Sequence, residues 1–335
     1  MELRPLGASD VQVTPVAIGT WAIGGWMWGG QDDADSIDAI HRAVDLGMTT
    51  IDTAPAYGFG RSEEVVGRAI RGRRDRVRIL TKFGLRWDLP PSACPEAESW
   101  ESRDLDGNPV RIVKYAGRES VVRECEDSLR RLGVDTIDLF QHHWPDAVTP
   151  IAETMSACER LVKQGKIRAV GVSNYSPRQM EEARQVVPLA SDQPPYSMLK
   201  RDIEADVVPY CRENDIGILA YSPFQNGILT GKVTMDRTFP ADDLRSSNPY
   251  YATENRRRIL AFIDETLRPI AEAHDATAAQ VVLAWTVRRP GITAALVGCR
   301  NAGQAEENAR AGATALADEE MARINDALGA LTLDV

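Results

Sequence analysis

The sequence is poor in the features that mark secreted, membrane-bound or nucleic-acid-binding chains. Its five cysteines, Cys94, Cys125, Cys158, Cys211 and Cys299, are odd in number, scattered, and never spaced as CxxC. That argues against a disulfide framework or a zinc ribbon, and reduced thiols in a reducing compartment are expected. No apolar run approaches the ~18 residues of a membrane span, and the opening MELRPLG lacks the apolar core of a signal peptide. Positive charge is short as well: 39 Lys and Arg stand against 49 Asp and Glu, a net charge of −10. Nucleic acid and anionic membrane both call for basic patches, so neither is expected as a partner. Arg71, Arg73, Arg74 and Arg76 read as a solvated turn. Neither HExxH nor a low-complexity segment nor a linker is found. The chain is expected to be a single domain over 1–335, cytoplasmic, and a monomer or weak homo-oligomer. Its 43% hydrophobic and 26% charged residues suit an ordinary globular protein.

What the sequence does have is regular alternation. A small hairpin is expected at 3–6 and 11–14, around a turn at Gly7, Ser9 and Asp10. Buried strands are expected at 16–18, 49–52, 78–82, 137–140, 167–172, 189–192, 217–220 and 293–297. Helical spacing covers 35–46, 62–70, 120–132, 150–164, a stretch from Pro177, 203–214, 255–274, 278–288, 302–311 and 318–328. Strand–helix alternation means parallel pairing, and eight units close into a (β/α)8 TIM barrel with an N-terminal β-hairpin. A doubly wound sheet would want a glycine-rich phosphate turn after its first strand, and Gly19-Thr20-Trp21 is not one. Two long loops interrupt the alternation on the active face. Residues 85–117 carry Trp87, Pro90-Pro91, Trp100 and Gly107, and residues 222–253 carry Asn226, Gly227, Gly231, Lys232 and Arg237. A third, glycine-rich stretch holds Gly24, Gly25, Trp26, Trp28, Gly29 and Gly30.

Barrel chemistry sits where strands end. Asp52 ends the second strand, Tyr57 follows in its loop, Lys82 ends the third, and Gln141-His142-His143-Trp144 ends the fourth. Adjacent histidines on an extended chain point apart, and without HExxH or a cysteine cluster no metal is expected. A buried ammonium beside a phenol is expected to lower the phenol's pKa, with Asp52 balancing the ammonium. An imidazole can orient a carbonyl. The set makes a proton donor aimed at a carbonyl oxygen, and the hydride must come from a nicotinamide cofactor. Lys82 would also suit a Schiff-base aldolase, but that leaves Tyr57, His143 and the polar strand ends unused. Ser173, Asn174 and Gln193 suit a carboxamide, and Tyr221 offers a ring to stack on. The glycines after Ser222 allow close backbone approach, and Lys232 offers charge to a pyrophosphate. Arg300, Gln304 and Asn308 lie at a helix start that attracts anions, where a 2′-phosphate would mean NADP.

IDTAPAYGFGRSEEVVG, TKFG, IDLFQHHWPD, KIRAVGVSNYS, DQPPYSML, AYSPFQNGILTGK and VGCRNAGQAEENA together resemble the aldo-keto reductase superfamily, across Gly19 to Asn308. GTWAIGGWMWGG and QPPYSML are most similar to a bacterial branch that includes vegetative and general-stress reductases. The resemblance implies reduction of aldehydes or ketones to alcohols with NADPH, Tyr57 as general acid, and Lys82, His143 (the histidine before Trp) and Asp52 in support. It adds Thr20, Trp21, Asp52, Pro223, Gln225, Asn226 and Gly227 to the cofactor residues, with Gly298 beside them. The chain departs from the mammalian branch in carrying Gly298 and Gln304 where that branch has a lysine and an arginine for the 2′-phosphate. Arg300 is the residue left to read it. The tail after Leu328 is short, so Trp21, Trp26, Trp28, Trp87 and Trp144, with Tyr57 and His143, are expected to wall the substrate pocket. Residues 85–117, whose Pro, Gly and charged residues argue against a regular core element, are expected to form a substrate lid through Trp87 and Trp100, the alternative being a surface excursion packed against the barrel's outside. Some relatives in the superfamily are cofactor-bound regulatory subunits, a second reading that the motifs leave open.

Overall fold

The structure, a computed structural model, describes residues 1–29, 31–90, 92–240 and 243–335. Gly30 and Pro91, both singled out above, lie outside the described residues. The chain opens with an antiparallel ladder, β1 (Arg4–Pro5) and β2 (Gln12–Val13). Strands β3 (Val16–Gly19), β4 (Thr50–Asp52) and β5 (Arg78–Phe83) follow. A second ladder, β6 (Leu85–Arg86), β7 (Ser99–Arg103) and β8 (Pro109–Lys114), comes next. Then come β9 (Ile137–His142), β10 (Ile167–Ser173), β11 (Leu189–Gln193), β12 (Gly217–Tyr221) and β13 (Ile292–Gly298).

Eight of these, β3, β4, β5 and β9 to β13, close into a parallel barrel in chain order, with β13 returning to β3. Side chains alternate between the two faces of each strand. Ala17, Leu80, Leu139, Leu219 and Ala294 point inward, and Leu6, Val11 and Val13 of the hairpin join them as a plug. Two residues on from Leu80, Leu139 and Leu219, the same inward face presents Lys82, Gln141 and Tyr221. One face therefore runs from apolar to polar as each strand approaches the mouth. The outward face, with Ile18, Ile51, Ile79 and Phe140, belongs to the larger core beneath the helices.

The helices are α1 (Trp21–Gly24), α2 (Asp33–Asp45), α3 (Arg61–Ala69), α4 (Arg118–Leu132), α5 (Ile151–Lys163), α6 (Pro177–Arg184), α7 (Val207–Glu213), α8 (Thr253–Phe262), α9 (Arg268–Ala273), α10 (Ala278–Arg288), α11 (Ala302–Ala311) and α12 (Asp318–Ala330). Ser176 caps α6 reciprocally with Gln179, with Pro177 in the first turn.

Three regions differ from the sequence reading. The helix expected at 203–214 is a single 3-10 turn, Asp202–Glu204, followed by α7, and Asp206 caps α7. The helix expected at 255–274 is continuous but contains one π turn, Ile263–Leu267, before Pro269. Pro269 has no N–H for the Glu265 carbonyl, and Arg323 donates to that carbonyl instead at 3.0 Å. The third is the stretch 85–117, of which Leu85–Arg86, Ser99–Arg103 and Pro109–Lys114 are strands. It forms a three-stranded antiparallel sheet in the order β6-β8-β7, with Leu85 opposite Lys114 and Trp100 opposite Ile112. Its tip turns at Asp106-Gly107, where Gly107 has φ +85° and Asp104 accepts from the Asp106 and Asn108 N–H groups. All five cysteines are free thiols.

Candidate active site

A cavity of about 920 Å³ opens at the carboxyl ends of the barrel strands. Asp52, Tyr57 and His143 line it, and Lys82 lies directly behind them. The Lys82 ammonium is fully buried and spends all three donors locally: on Asp52 Oδ1 at 2.5 Å, on the Thr53 carbonyl at 3.0 Å and on Tyr57 Oη at 3.1 Å. Asp52 Oδ2 accepts from Gln193 Nε2 at 2.9 Å and Gln141 Nε2 at 3.2 Å. A buried charge pair holds only when its remaining valences are met, and here they are.

Tyr57 is set by a turn and by two rings. Its N–H bonds the Ala54 carbonyl at 3.1 Å. Trp21 stacks on it at 6.0 Å, and His143 meets it edge-on at 5.7 Å. The next residue, Gly58, has φ +71° and lies against the Gly24 backbone so closely that a Cβ on either glycine would collide. That contact fixes the Trp21 turn over the tyrosine.

The electrostatics correct one expectation. Tyr57 titrates above its ordinary value. Burial raises it most; Lys82 pulls it down, and Asp52 pushes it up again. The ammonium therefore tempers the phenol without outweighing burial, and the phenol keeps its proton at neutral pH. Burial works against the Lys82 charge, yet Asp52 and Tyr57 together hold its pKa above the usual value. His143 is held well below its ordinary value by burial, then by Lys82 and His142, so its imidazole is neutral.

His142 points the other way. Its ring stacks on Phe83 at 5.0 Å, its Nδ1 shares a 2.7 Å bond with the Tyr175 hydroxyl, and burial pushes its pKa down to about 3. Register accounts for this: His142 pairs with Phe83 and Val172, two on from outward-facing Phe140. Among the described residues no three His, Cys, Asp or Glu side chains gather as a metal-ligand group.

Most of the expected cofactor residues line the same cavity: Thr20, Trp21, Ser173, Asn174, Gln193, Tyr221, Ser222, Pro223, Asn226, Gly227, Lys232, Gly298, Arg300, Gln304 and Asn308. Ser222 and Asn226 take the left-handed backbone beside Gly227, at φ +57° and +59°. Asn174 bonds the His143 carbonyl, the Ser173 hydroxyl and the Tyr221 hydroxyl, tying β9, β10 and β12 together. The Gln193 amide nitrogen is turned to Asp52 and Gln141, leaving its amide oxygen for a ligand. Gln225 is a correction: it is buried behind the loop and accepts from the Ser197 hydroxyl at 2.9 Å. Lys232 pairs with Glu307 at 2.5 Å. Gln304 accepts from the Arg300 N–H, and Arg300 lies over the Trp28 ring at 5.6 Å.

Trp26, Trp28 and Trp144 line the cavity with Trp21. Trp87 does not: it packs edge-on to Phe59 at 5.6 Å, in a small core with Trp26, Leu85 and Ile112. Trp100 takes the lining place on the hairpin instead, with Glu98 and Lys114. Arg245 was not foreseen. It is paired with Asp243 at 2.5 Å, and its guanidinium lies over Phe239 at 4.3 Å and Trp28 at 5.6 Å, in the cavity wall. Nothing in its local sequence marks it, because only the folded course of 222–253 brings it to Arg300. Gln141 was also missed as a partner of Asp52. Its inward position two residues beyond Leu139 was the available signal.

The closed barrel and its mouth define a (β/α)8 oxidoreductase. The chain belongs to the aldo/keto reductase family, whose model matches residues 15–328. It is 39% identical over 330 residues to aldo-keto reductase YhdN of Bacillus subtilis (strain 168), covering 98% of this chain and 94% of that one. It is 33% identical over 317 residues to the NADH-specific methylglyoxal reductase of Escherichia coli (strain K12), covering 93% of each. Among solved structures, glycerol dehydrogenase AKR11B4 from Gluconobacter oxydans superposes with a TM-score of 0.87 at 40% identity, covering 99% of this chain and 96% of that one.

Proposed function

We propose that this protein reduces aldehydes or ketones to alcohols with NADPH, Tyr57 giving the proton to the carbonyl oxygen. One observation carries the reading. Tyr57 Oη accepts from Lys82 at 3.1 Å, and among the described residues nothing accepts the phenol's own proton, which leaves it for a group in the cavity. Lys82 holds its donor on the phenolic oxygen throughout, so the charge left when the proton departs is met without rearrangement. Neutral His143 donates a hydrogen bond to the same carbonyl and fixes its direction. Asp52 keeps Lys82 in place and is itself held by Gln141 and Gln193.

The cavity fits a nicotinamide dinucleotide. Ser173, Asn174 and the Gln193 oxygen suit the carboxamide, the Tyr221 ring suits the nicotinamide face, and Lys232, Arg245 and Arg300 suit the phosphates. When bound, the cofactor supplies the hydride. Arg300 and Arg245 beside Trp28 favour a cofactor with the extra 2′-phosphate. No described helix is long and apolar enough to cross a membrane. On this reading the protein is single-domain and cytoplasmic, acting on small carbonyl compounds as a monomer or weak homo-oligomer.

Following NADPH and NADH absorbance with 4-nitrobenzaldehyde tests the reading. NADPH oxidation is expected to be the faster. Oxidation of NADH alone, the specificity named for the Escherichia coli relative, would overturn the cofactor assignment. Binding of both cofactors without turnover would favour a regulatory subunit.

A further inference from the structure

We propose that Lys114 is a specificity-determining residue that takes the carboxylate of an anionic carbonyl substrate, in the place Glu98 holds in the free protein. The proposal rests on the carbonyl-reductase reading and names a substrate class for that site.

Lys114 is tied to the strands that carry the reacting groups. It ends β8 and pairs with Leu85, three residues beyond Lys82 on the same stretch of chain. Its Nζ lies 4.9 Å from the centre of the Trp144 ring, and Trp144 follows His143. Lys114 therefore stands at the rim of the pocket on the β5 and β9 side. Arg245 and Arg300 come from the segments after β12 and β13, across the barrel mouth. Among the described lining residues Lys114 is the cation on the substrate side, set among tryptophans.

The ion pair it makes is lopsided. Lys114 bonds Glu98 at 2.8 Å, but the lysine side chain is 14% exposed and the glutamate side chain 62% exposed. The cation is held by packed stem and aromatic face, while its carboxylate partner hangs in solvent. A pair whose carboxylate stands in solvent is a weak one, so a carboxylate brought by a substrate exchanges with Glu98 at little cost. A neutral aldehyde gains nothing from Lys114. The fitting substrate carries its carbonyl at one end and a carboxylate at the other, across an apolar or aromatic spacer that the tryptophans cover.

The test compares kcat/KM for 3- and 4-formylbenzoate with kcat/KM for their methyl esters, which match them in shape without the charge. Lys114→Met should lower the acid-to-ester ratio about tenfold for the better isomer, the scale of one charged hydrogen bond. Glu98→Gln should raise that ratio about threefold by removing the competing carboxylate, and the wild-type ratio should fall in concentrated salt. A ratio unmoved by Lys114→Met, or lowered by Glu98→Gln, overturns the proposal. Should Lys114→Met fail to fold, the direction of the Glu98→Gln change decides alone. Quenching of tryptophan fluorescence by benzoate and by benzamide gives a readout without turnover. Benzoate binding that depends on Lys114, in a protein that reduces no aldehyde, would sink the reductase reading and keep the anion site. Turnover of all four aldehydes with unmoved ratios would do the reverse.

Discussion

On the β4, β5 and β9 side of the cavity the charged groups nearest Tyr57 are buried and already partnered. On the β12 and β13 side Lys232 reaches solvent and holds a carboxylate that a ligand can displace. Lys82 is fully enclosed and spends its three donors on Asp52, Thr53 and Tyr57. Lys232, by contrast, has a side chain 60% exposed and a single bond to Glu307. Breaking a buried pair by removing one partner costs about 3–5 kcal/mol, whereas an exposed pair is worth about 0–1 kcal/mol. The groups around Tyr57 are therefore fixed before any ligand arrives, whereas Lys114 at the rim of that side keeps a solvent-exposed partner in Glu98. The β12 and β13 side can trade Glu307 for phosphate oxygens. Rigidity where a proton moves and exchangeable pairing where a charged ligand enters are consistent with one cavity doing both.

The comparison breaks most sharply at Tyr57. Tyr57→Phe removes the proposed proton donor and leaves the ring stacked on Trp21, so carbonyl reduction should fall by about 10²–10⁴-fold. NADPH affinity, read by fluorescence titration, should hold. A variant that keeps most of its turnover would place the acid elsewhere. The same side predicts a pH profile. Tyr57 is raised and His143 lowered, so neither changes its proton across neutrality. For a neutral aldehyde kcat/KM should be flat from about pH 6 to about pH 9, and fall only as pH climbs past the ordinary phenol value toward the raised one. An inflection near the ordinary imidazole value would mean that His143 titrates.

A smaller effect is expected across the mouth. Arg300→Ala should weaken NADPH about tenfold or more while NADH changes little, since a charged hydrogen bond is worth about 1.5–3 kcal/mol and only NADPH brings the extra phosphate. Arg245 lies over the same Trp28 ring, and burial first, then the positive charge of Arg245, disfavours the charge on Arg300. Equal weakening of both cofactors would move Arg300 to the pyrophosphate or to a purely structural place.

How much of this was legible in the sequence follows the same division. Asp52 and Lys82 could be read because strand ends place them without knowledge of distant loops, while His143 was told from His142 by the family resemblance. Register explains why His143 and not His142 faces in. The sign of the Tyr57 shift could not be read, because it depends on how completely the ring is enclosed. Arg245 was hidden because only the course of a long, largely irregular segment brings it to Trp28. The hairpin was less excusable: Asp106-Gly107 between Ser99–Arg103 and Pro109–Lys114 is a recognised turn signal, masked by the charged residues around it.

That hairpin carries the smallest expected effect, and it separates two tryptophans that the sequence could not tell apart. Trp100 is 37% exposed and lines the cavity, whereas Trp87 packs behind it against Phe59. Trp100→Ala should raise KM for a bulky aromatic aldehyde a few-fold more than for a small one, with melting temperature nearly unchanged. Trp87→Ala should do the opposite. It empties part of the small core beneath Trp26, so stability should drop by about 0.5–3 kcal/mol in a denaturant titration, less than for a fully buried tryptophan because Trp87 is only partly buried. Discrimination between large and small carbonyls should then change little. If Trp87→Ala changed discrimination and Trp100→Ala did not, the hairpin would have to close further over the barrel mouth than its register with β6 places it.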